Sequence, residues 1–508
     1  MIPLPFSLQT CPDTMKKGLT GKAVNLWVNL GPRFLPFADV ATDDLPLSRL
    51  LRLSMFQVSV GMCLVLLAGT LNRVMIVELA VPATLVGVMI ALPILFAPFR
   101  AFIGFRSDQH RSELGWRRVP FMWNGTLMQF GGLAIMPFAL LVLSGGGQAG
   151  DYPAWIGQAS AAVSFLLIGA GMHTVQTVGL ALATDLTPVE AQPRVVGLMY
   201  VMLLLGMIAS ALIFGALLSD FTPGRLVQVV QGAAVATVFL NGIALWKQET
   251  RRPRRLQTEP VPQLTFREAW GRMSQGAGAI RSLVAVGVGT LAFSMADILL
   301  EPYGGQILGM SVAETTRLTA ILALGTLIGF ALASRFMTHG VDPLRVASVG
   351  AVVGVPSFVA VIASAPVEST VLFTMANFSI GFGAALFSHG TLTSTMRLAP
   401  REQSGLALGA WGSVQATALG FGIAFSGIAR DVVTALGIGA EWGLRLGGAA
   451  AGYIVVYGLE IILLLATIVI MVPLLGRLRG YAMGDAAPAE APVNTSGSAT
   501  ASQTAGGG

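Results

Sequence analysis

Twelve long apolar runs divide this chain, at roughly 53–77, 82–104, 119–144, 158–183, 195–219, 226–246, 282–300, 313–337, 344–364, 371–394, 404–428 and 449–475. Each is long enough to cross a hydrocarbon layer of about 30 Å as a helix rising about 1.5 Å per residue. With the N-terminus on one side and the helices alternating, the opposite loops hold only Arg73, Arg225, Arg317, Arg430 and Arg445, so 26 of the 31 Lys and Arg residues lie on the side of the termini. That asymmetry places both termini in the cytoplasm. The expectation is an all-α, multi-pass protein of a bacterial inner membrane.

Composition agrees. Charged residues are 11 % and apolar residues 54 %, with a mean hydropathy of +0.73; a soluble chain carries about 25 % charge. The net charge of +6 lies in cytoplasmic loops, where anionic headgroups attract it, and calls for no nucleic acid. Cys11 and Cys63 give no disulfide or metal framework. Residues 1–50 lack an apolar core beside a small-residue cleavage site, so the first helix is expected to act as its own insertion signal.

Five segments follow: an interfacial N-terminal segment (1–50), a six-helix bundle (51–247), a basic linker (248–280), a second six-helix bundle (281–480) and a disordered tail (481–508). An internal repeat relates the bundles. At an offset of 212 residues Gly169 and Gly171 match Gly381 and Gly383, Leu186, Pro188 and Glu190 match Leu398, Pro400 and Glu402, and Gly197 matches Gly409. Two related halves imply a cavity or contact surface between them.

The gap between the second and third runs contains Gly104, Arg106, Asp108, Arg111, Gly115, Arg117 and Arg118. It resembles the signature loop of the major facilitator superfamily, with an insertion before the second glycine. Such a loop is expected to latch the two halves through an aspartate, arginines and a helix N-terminus. The strings Leu71–Leu79, Ala97–Asp108, Gly115–Pro120, Gln129–Pro137 and Ala183–Leu186 resemble the PucC/LhaA family, the bacteriochlorophyll-delivery branch of that superfamily, and look closer to the LhaA type. The resemblance runs from about residue 46 to 480. It implies twelve helices in two pseudo-symmetric halves and the assembly of photosynthetic light-harvesting antenna, with LH1, the core antenna, as the favoured target. The implied cofactor is bacteriochlorophyll a, with carotenoid or lipid as further candidates. The implied partners are light-harvesting α and β polypeptides and membrane lipids. Bacteriochlorophyll synthase, reaction-centre subunits and the membrane insertion machinery are further candidates. The implied location is the inner, intracytoplasmic membrane.

A pigment magnesium needs an axial ligand, and neutral imidazole is suitable. Of four histidines, His173 and His389 lie within the fourth and tenth runs. Gly169 and Ala385 precede them by four residues, where a bound ring would lie because helical side chains lean over the preceding turn. These four residues are the candidate pigment site; a hydrogen bond across a helix interface is the plainer reading of each histidine. Asn72, Arg73, Glu78, Asp297 and Glu301 form a candidate intramembrane charge network, for which an ion pair between Arg73 and Asp297 or Glu301 is the default expectation. The competing function is secondary transport of a small solute, with or without proton coupling. Catalysis is not expected: Asp39 and Asp43 offer the single acidic spacing suited to magnesium diphosphate, with no second cluster, and no nucleophile with a base is evident.

Overall fold

The computed structural model describes residues 46–95, 103, 106–107, 116–145, 151–188, 191–249, 278–398, 404–439 and 448–484. The first half comprises α1 (Leu47–Glu78), α2 (Ala83–Leu95), α3 (Val119–Leu143), α4 (Ala154–Asp185), α5 (Gln192–Leu217) and α6 (Pro223–Leu245). The second comprises α7 (Ala279–Gln306), α8 (Val312–Thr338), α9 (Pro343–Ser364), α10 (Thr370–Leu398), α11 (Ser404–Ala435) and α12 (Ala449–Gly484). Eleven of these are long and apolar enough to span a membrane; α2 is shorter over its described part. The protein is a multi-pass membrane protein. The N-terminal segment up to Leu45, most of the linker and the tail beyond Gly484 lie outside the described residues, as do Gly104, Asp108, Arg111 and Gly115 of the signature loop.

In lipid, helices associate through close packing of small residues rather than by escaping water. The repeated glycines do this work at matching places. Gly171 of α4 faces Gly125 of α3, and a Cβ built on either would lie 2.5–2.9 Å from the other's carbonyl oxygen. Gly383 of α10, the repeat partner of Gly171, makes the same crossing with Gly350 of α9 at 2.5–2.8 Å. The first glycines of the repeat bring a further helix against the same pair: Gly169 packs on Pro93 of α2, and Gly381 on Leu322 of α8. The same three-helix crossing is therefore built once in each half, and the halves meet where α2 packs on α11 and α5 on α8.

The face at which α1 begins and α12 ends is called the terminal face, and its opposite the far face. Among the described residues, hydrogen bonds linking the halves gather towards the far face. Thr84 at the start of α2 gives its backbone N–H (2.7 Å) and hydroxyl (2.8 Å) to Asp431 of α11. Gly427, one turn before Asp431, lies so close to α2 that a Cβ would sit 2.5 Å from the carbonyl oxygen of Ala83.

Candidate functional site: a broken helix between the halves

Helix α7 is not continuous. A short 3-10 segment, Ala296–Ile298, interrupts it before it resumes over Leu300–Gln306. The cause is local. Residue 302 is proline, which has no N–H to offer the carbonyl four residues earlier and whose ring crowds it. That orphaned carbonyl belongs to Ile298. Asn72, fully buried on α1 of the other half, supplies the missing donor: its Nδ2 gives hydrogen bonds of 2.9 Å to the Ile298 oxygen and 3.0 Å to the Ala68 oxygen. Helix α1 is itself irregular here, widening into π-helical turns at Val65–Leu71 and Val74–Glu78. Such bulges recur at functional positions of helices.

Around this break lies a small cavity of about 240 Å³, lined from the first half by Leu64, Ala68, Gly69 and Met207 and from the second by Asp297, Glu301, Thr319 and Asn377 among others. The carboxylate of Asp297 keeps its accessible surface by facing this space. Glu301 is buried; its Oε1 accepts a hydrogen bond from Thr319, and its Oε2 has no hydrogen-bond partner. Gly69 makes room for it, since a Cβ there would lie 2.6 Å from Glu301 Oε1.

Arg73 does not form the expected ion pair with Asp297 or Glu301. It pairs with Glu78 of its own helix at 2.5 Å and donates from Nη2 to the Met310 carbonyl of the second half at 3.1 Å. The π-helical turns explain this: a widened helix brings residue i+5 into reach of residue i, and Glu78 stands five positions after Arg73. Of the five residues of the predicted charge network, all therefore meet around α1 and α7, but with a different pairing. A sixth, Glu460 of α12, went unrecognised in the sequence. It is fully buried, neither of its oxygens has a hydrogen-bond partner, and it interacts electrostatically with Asp297. The signal was present, because Glu460 is the one acid inside the run 449–475.

The histidines sit elsewhere. His389 on α10 packs its ring on Phe330 of α8, with centroids 4.1 Å apart. The space expected over Ala385 is occupied by Gly329 of α8, and that over Gly169 by Pro93 of α2. The small residues one turn before His173 and His389 lie against neighbouring helices. Of the signature-loop arginines, Arg106, Arg117 and Arg118 lie among the described residues. Arg117 and Arg118 both pair with Asp185 at the end of α4, Arg118 at 3.0 Å, and Arg118 donates to Ser107 at 2.6 Å. Glu249, just after α6, accepts the backbone N–H groups of Arg117 (2.7 Å), Arg118 (3.0 Å) and Val119 (3.1 Å), capping the positive start of α3. These bonds tie α3, α4 and α6 of one half and do not bridge the two; Arg106 is exposed.

A larger cavity, about 760 Å³, opens sideways between α5 and α6. Met62 of α1 forms part of its floor, Ile213, Phe214 and Leu217 one wall, and Gly232, Ala233 and Ala236 the other. Its far-face end is polar, with Ser219, Gln228 and the pair Arg225–Asp220 at 3.3 Å. In the second half the corresponding helices close on each other, a Cβ on Gly452 of α12 lying 2.6 Å from the Arg430 carbonyl oxygen of α11.

Two six-helix halves related by a repeat and joined at a broken helix define a membrane protein of the major facilitator type. Solved structures agree on the fold. A bacterial homolog of the human lysosomal transporter Spinster, inward-facing and unoccupied, matches with a TM-score of 0.60 at 14 % identity, over 84 % of this chain and 95 % of that one. The POT family transporter PepTSo matches with a TM-score of 0.59 at 13 % identity, over 86 % and 98 %. Within that fold the chain belongs to the PucC family: the family described as PUCC protein matches residues 70–478. "Protein PucC" of Rhodovulum sulfidophilum is 64 % identical over 82 % of this chain and 92 % of its own length. "Protein PucC" of Rhodobacter capsulatus is 57 % identical over 88 % and 96 %. The "Bacteriochlorophyll synthase 44.5 kDa chain" of Rhodobacter capsulatus is 27 % identical over 80 % and 93 %.

Proposed function

We propose that this protein is an assembly factor for photosynthetic light-harvesting complexes, which binds bacteriochlorophyll and delivers it to antenna α and β polypeptides without making or breaking bonds. Its place is the bacterial inner, intracytoplasmic membrane, with both termini in the cytoplasm. Family membership supports this reading, and so does the name of the more distant bacteriochlorophyll synthase relative. The observation that carries it is the contrast between the two cavities. Among the described residues, the cavity at the α7 break, about 240 Å³, falls below the range of roughly 300–1,000 Å³ typical of small-molecule sites. The lateral groove, about 760 Å³, lies within it, is apolar for most of its length and opens where a membrane-dissolved pigment can enter. The wording of the sequence favours the core-antenna subtype, whereas relatives at 55–64 % identity are named Protein PucC. The proposal is therefore made for light-harvesting complexes as a class. A solute transporter rests on the fold alone.

The test is purification of the full chain from pigmented membranes, with bacteriochlorophyll per chain read by absorption and α and β polypeptides by mass spectrometry. Both should co-purify, and Gly232→Leu with Ala236→Leu, which fill the groove, should lower pigment content at least severalfold. A well-folded preparation carrying neither pigment nor antenna chains would refute the proposal.

A further inference from the structure

The lateral groove between α5 and α6 carries polar side chains that the protein itself leaves unused. Ser210 of α5, 7 % exposed, lines the groove, and its hydroxyl makes no hydrogen bond among the described residues. A helical serine or threonine can bond back to the carbonyl four residues earlier, as Thr237 of α6 does to Ala233 at 2.9 Å and Thr174 of α4 to Ala170 at 2.8 Å. Ser210 does not. Gln228 of α6 lines the opposite wall, and its amide likewise makes no hydrogen bond among the described residues. Helix α5 runs towards the far face and α6 starts from it. Ser210 stands seven residues before the end of α5 and Gln228 five residues after the start of α6. At about 1.5 Å per residue these are depths of about 10 Å and about 8 Å. Two unpartnered polar groups therefore line one cavity from opposite walls at nearly the same depth.

The surroundings of Gln228 differ from those of the histidines. Helical side chains lean over the preceding turn, which carries the Gln228 amide over Gly224. A Cβ built on Gly224 meets nothing within 4 Å, and the same holds for Gly232, one turn after Gln228. Gly169, one turn before His173, is by contrast closed by Pro93. Small residues alone report nothing, since they also serve helix crossings; Gly224 and Gly232 have open space beside them instead of a neighbouring helix. The remaining oxygen donors at the polar end are placed differently. Asp220 is 88 % exposed and engaged by Arg225 at 3.3 Å, and Ser219 lies beyond the end of α5.

Magnesium is a hard cation that takes oxygen donors, the carbonyl of a glutamine amide among them. Resting on the pigment-binding reading above, we propose that the groove holds bacteriochlorophyll by its magnesium, with the Gln228 amide oxygen as axial ligand and the Ser210 hydroxyl donating to a carbonyl substituent of the ring. The apolar walls, including Met62, Phe214 and Ala236, take the ring and its hydrocarbon tail. A polar group without a partner in apolar surroundings is costly, and both groups gain theirs when pigment enters. A pigment that has lost its magnesium satisfies Ser210 but not Gln228, so the site tells the metal-bearing form from the metal-free one. A neutral amide oxygen is also an exchangeable ligand, which suits a protein that hands its pigment on: a stronger donor on the receiving chain can take the magnesium over.

The experiment loads the full chain, purified without pigment, with bacteriochlorophyll a or with bacteriopheophytin a, its magnesium-free form. Pigment per chain is read by absorption, and resonance Raman spectra report the coordination of the magnesium and the hydrogen bonding of the ring carbonyls. The unsubstituted chain should take up the magnesium pigment severalfold better than the metal-free one. Gln228→Leu should lose that preference by losing the magnesium pigment alone, and Gln228→His should restore it with a coordination spectrum shifted to a nitrogen ligand. Ser210→Ala should keep the coordination and move a ring-carbonyl stretch to its unbonded position. A Gln228→Leu chain that binds the magnesium pigment as before, with the same coordination spectrum, overturns the proposal and leaves pigment binding in the groove standing. An unsubstituted chain that takes both pigments equally overturns it too, even where the leucine variant fails to fold. A ring-carbonyl band indifferent to Ser210→Ala removes the hydroxyl contact. An unsubstituted chain that binds neither pigment removes the pigment-binding reading and this assignment with it.

Discussion

Replacing Asn72 by leucine should loosen the contact between the halves far more than its single hydrogen bond to the second half suggests. Leucine has nearly the same size, so packing is largely kept. What is lost is the 2.9 Å bond from Nδ2 to the Ile298 oxygen. That oxygen cannot turn to its own helix, because the residue four positions on is Pro302. A buried acceptor left without a donor costs about 1–3 kcal/mol, while hydrogen bonds between membrane helices measured by mutation reach at most about 1.7 kcal/mol. A cost of roughly 1–2 kcal/mol satisfies both, which is about 5- to 30-fold in the ratio of closed to open halves. The control is the pair Thr70→Val with Thr316→Val. Their hydroxyls meet across the halves at 3.2 Å, and removing both partners together leaves nothing orphaned, so the change should be close to neutral. Spin labels at Ala80 and Leu436, on the far face of different halves, read the closed fraction directly. An Asn72→Leu protein as tightly closed as the double-valine control would refute the argument that Pro302 makes Asn72 indispensable.

Glu249→Ala should lower the thermal unfolding midpoint in detergent by the equivalent of about 1–2 kcal/mol, since three N–H groups at the start of α3 lose a carboxylate; Glu249→Gln should keep part of that. Gly427→Val, which drives a side chain into the Ala83 carbonyl, should cost about 1–3 kcal/mol through overpacking and separate α2 from α11, measured by cysteine cross-linking between Thr84 and Asp431 positions. His173→Leu with His389→Leu should leave pigment per purified chain unchanged, because the turn before each histidine is filled by a neighbouring helix; a severalfold loss of absorption would restore them as ligands.

Much of the fold was legible because lipid enforces simple rules. Apolar runs have to become helices. The offset of 212 residues was legible too, although its meaning was not: only the packed helices show that Gly171 and Gly383 exist to bring backbones together. The small residues before the histidines belong to the same packing, so their spacing alone does not tell a pigment ligand from a helix crossing. Glycine and alanine line membrane helix crossings whether or not a ligand is near.

The pairing of Arg73 shows a different limit. Its expected partner across the halves followed from regular helix geometry, and helix α1 is not regular. Once its turns widen, Glu78 is the nearer carboxylate and Asp297 and Glu301 are left without a guanidinium. The same local irregularity has its counterpart in α7, where one proline frees one carbonyl and Asn72 answers it from the opposite half. Both departures lie at one level of the membrane, beside the cavity that holds the unpaired acids. Regular helices here would have permitted a stable salt bridge and a permanently locked contact. The broken and widened helices instead leave the described contact between the two halves here to hydrogen bonds rather than to a salt bridge.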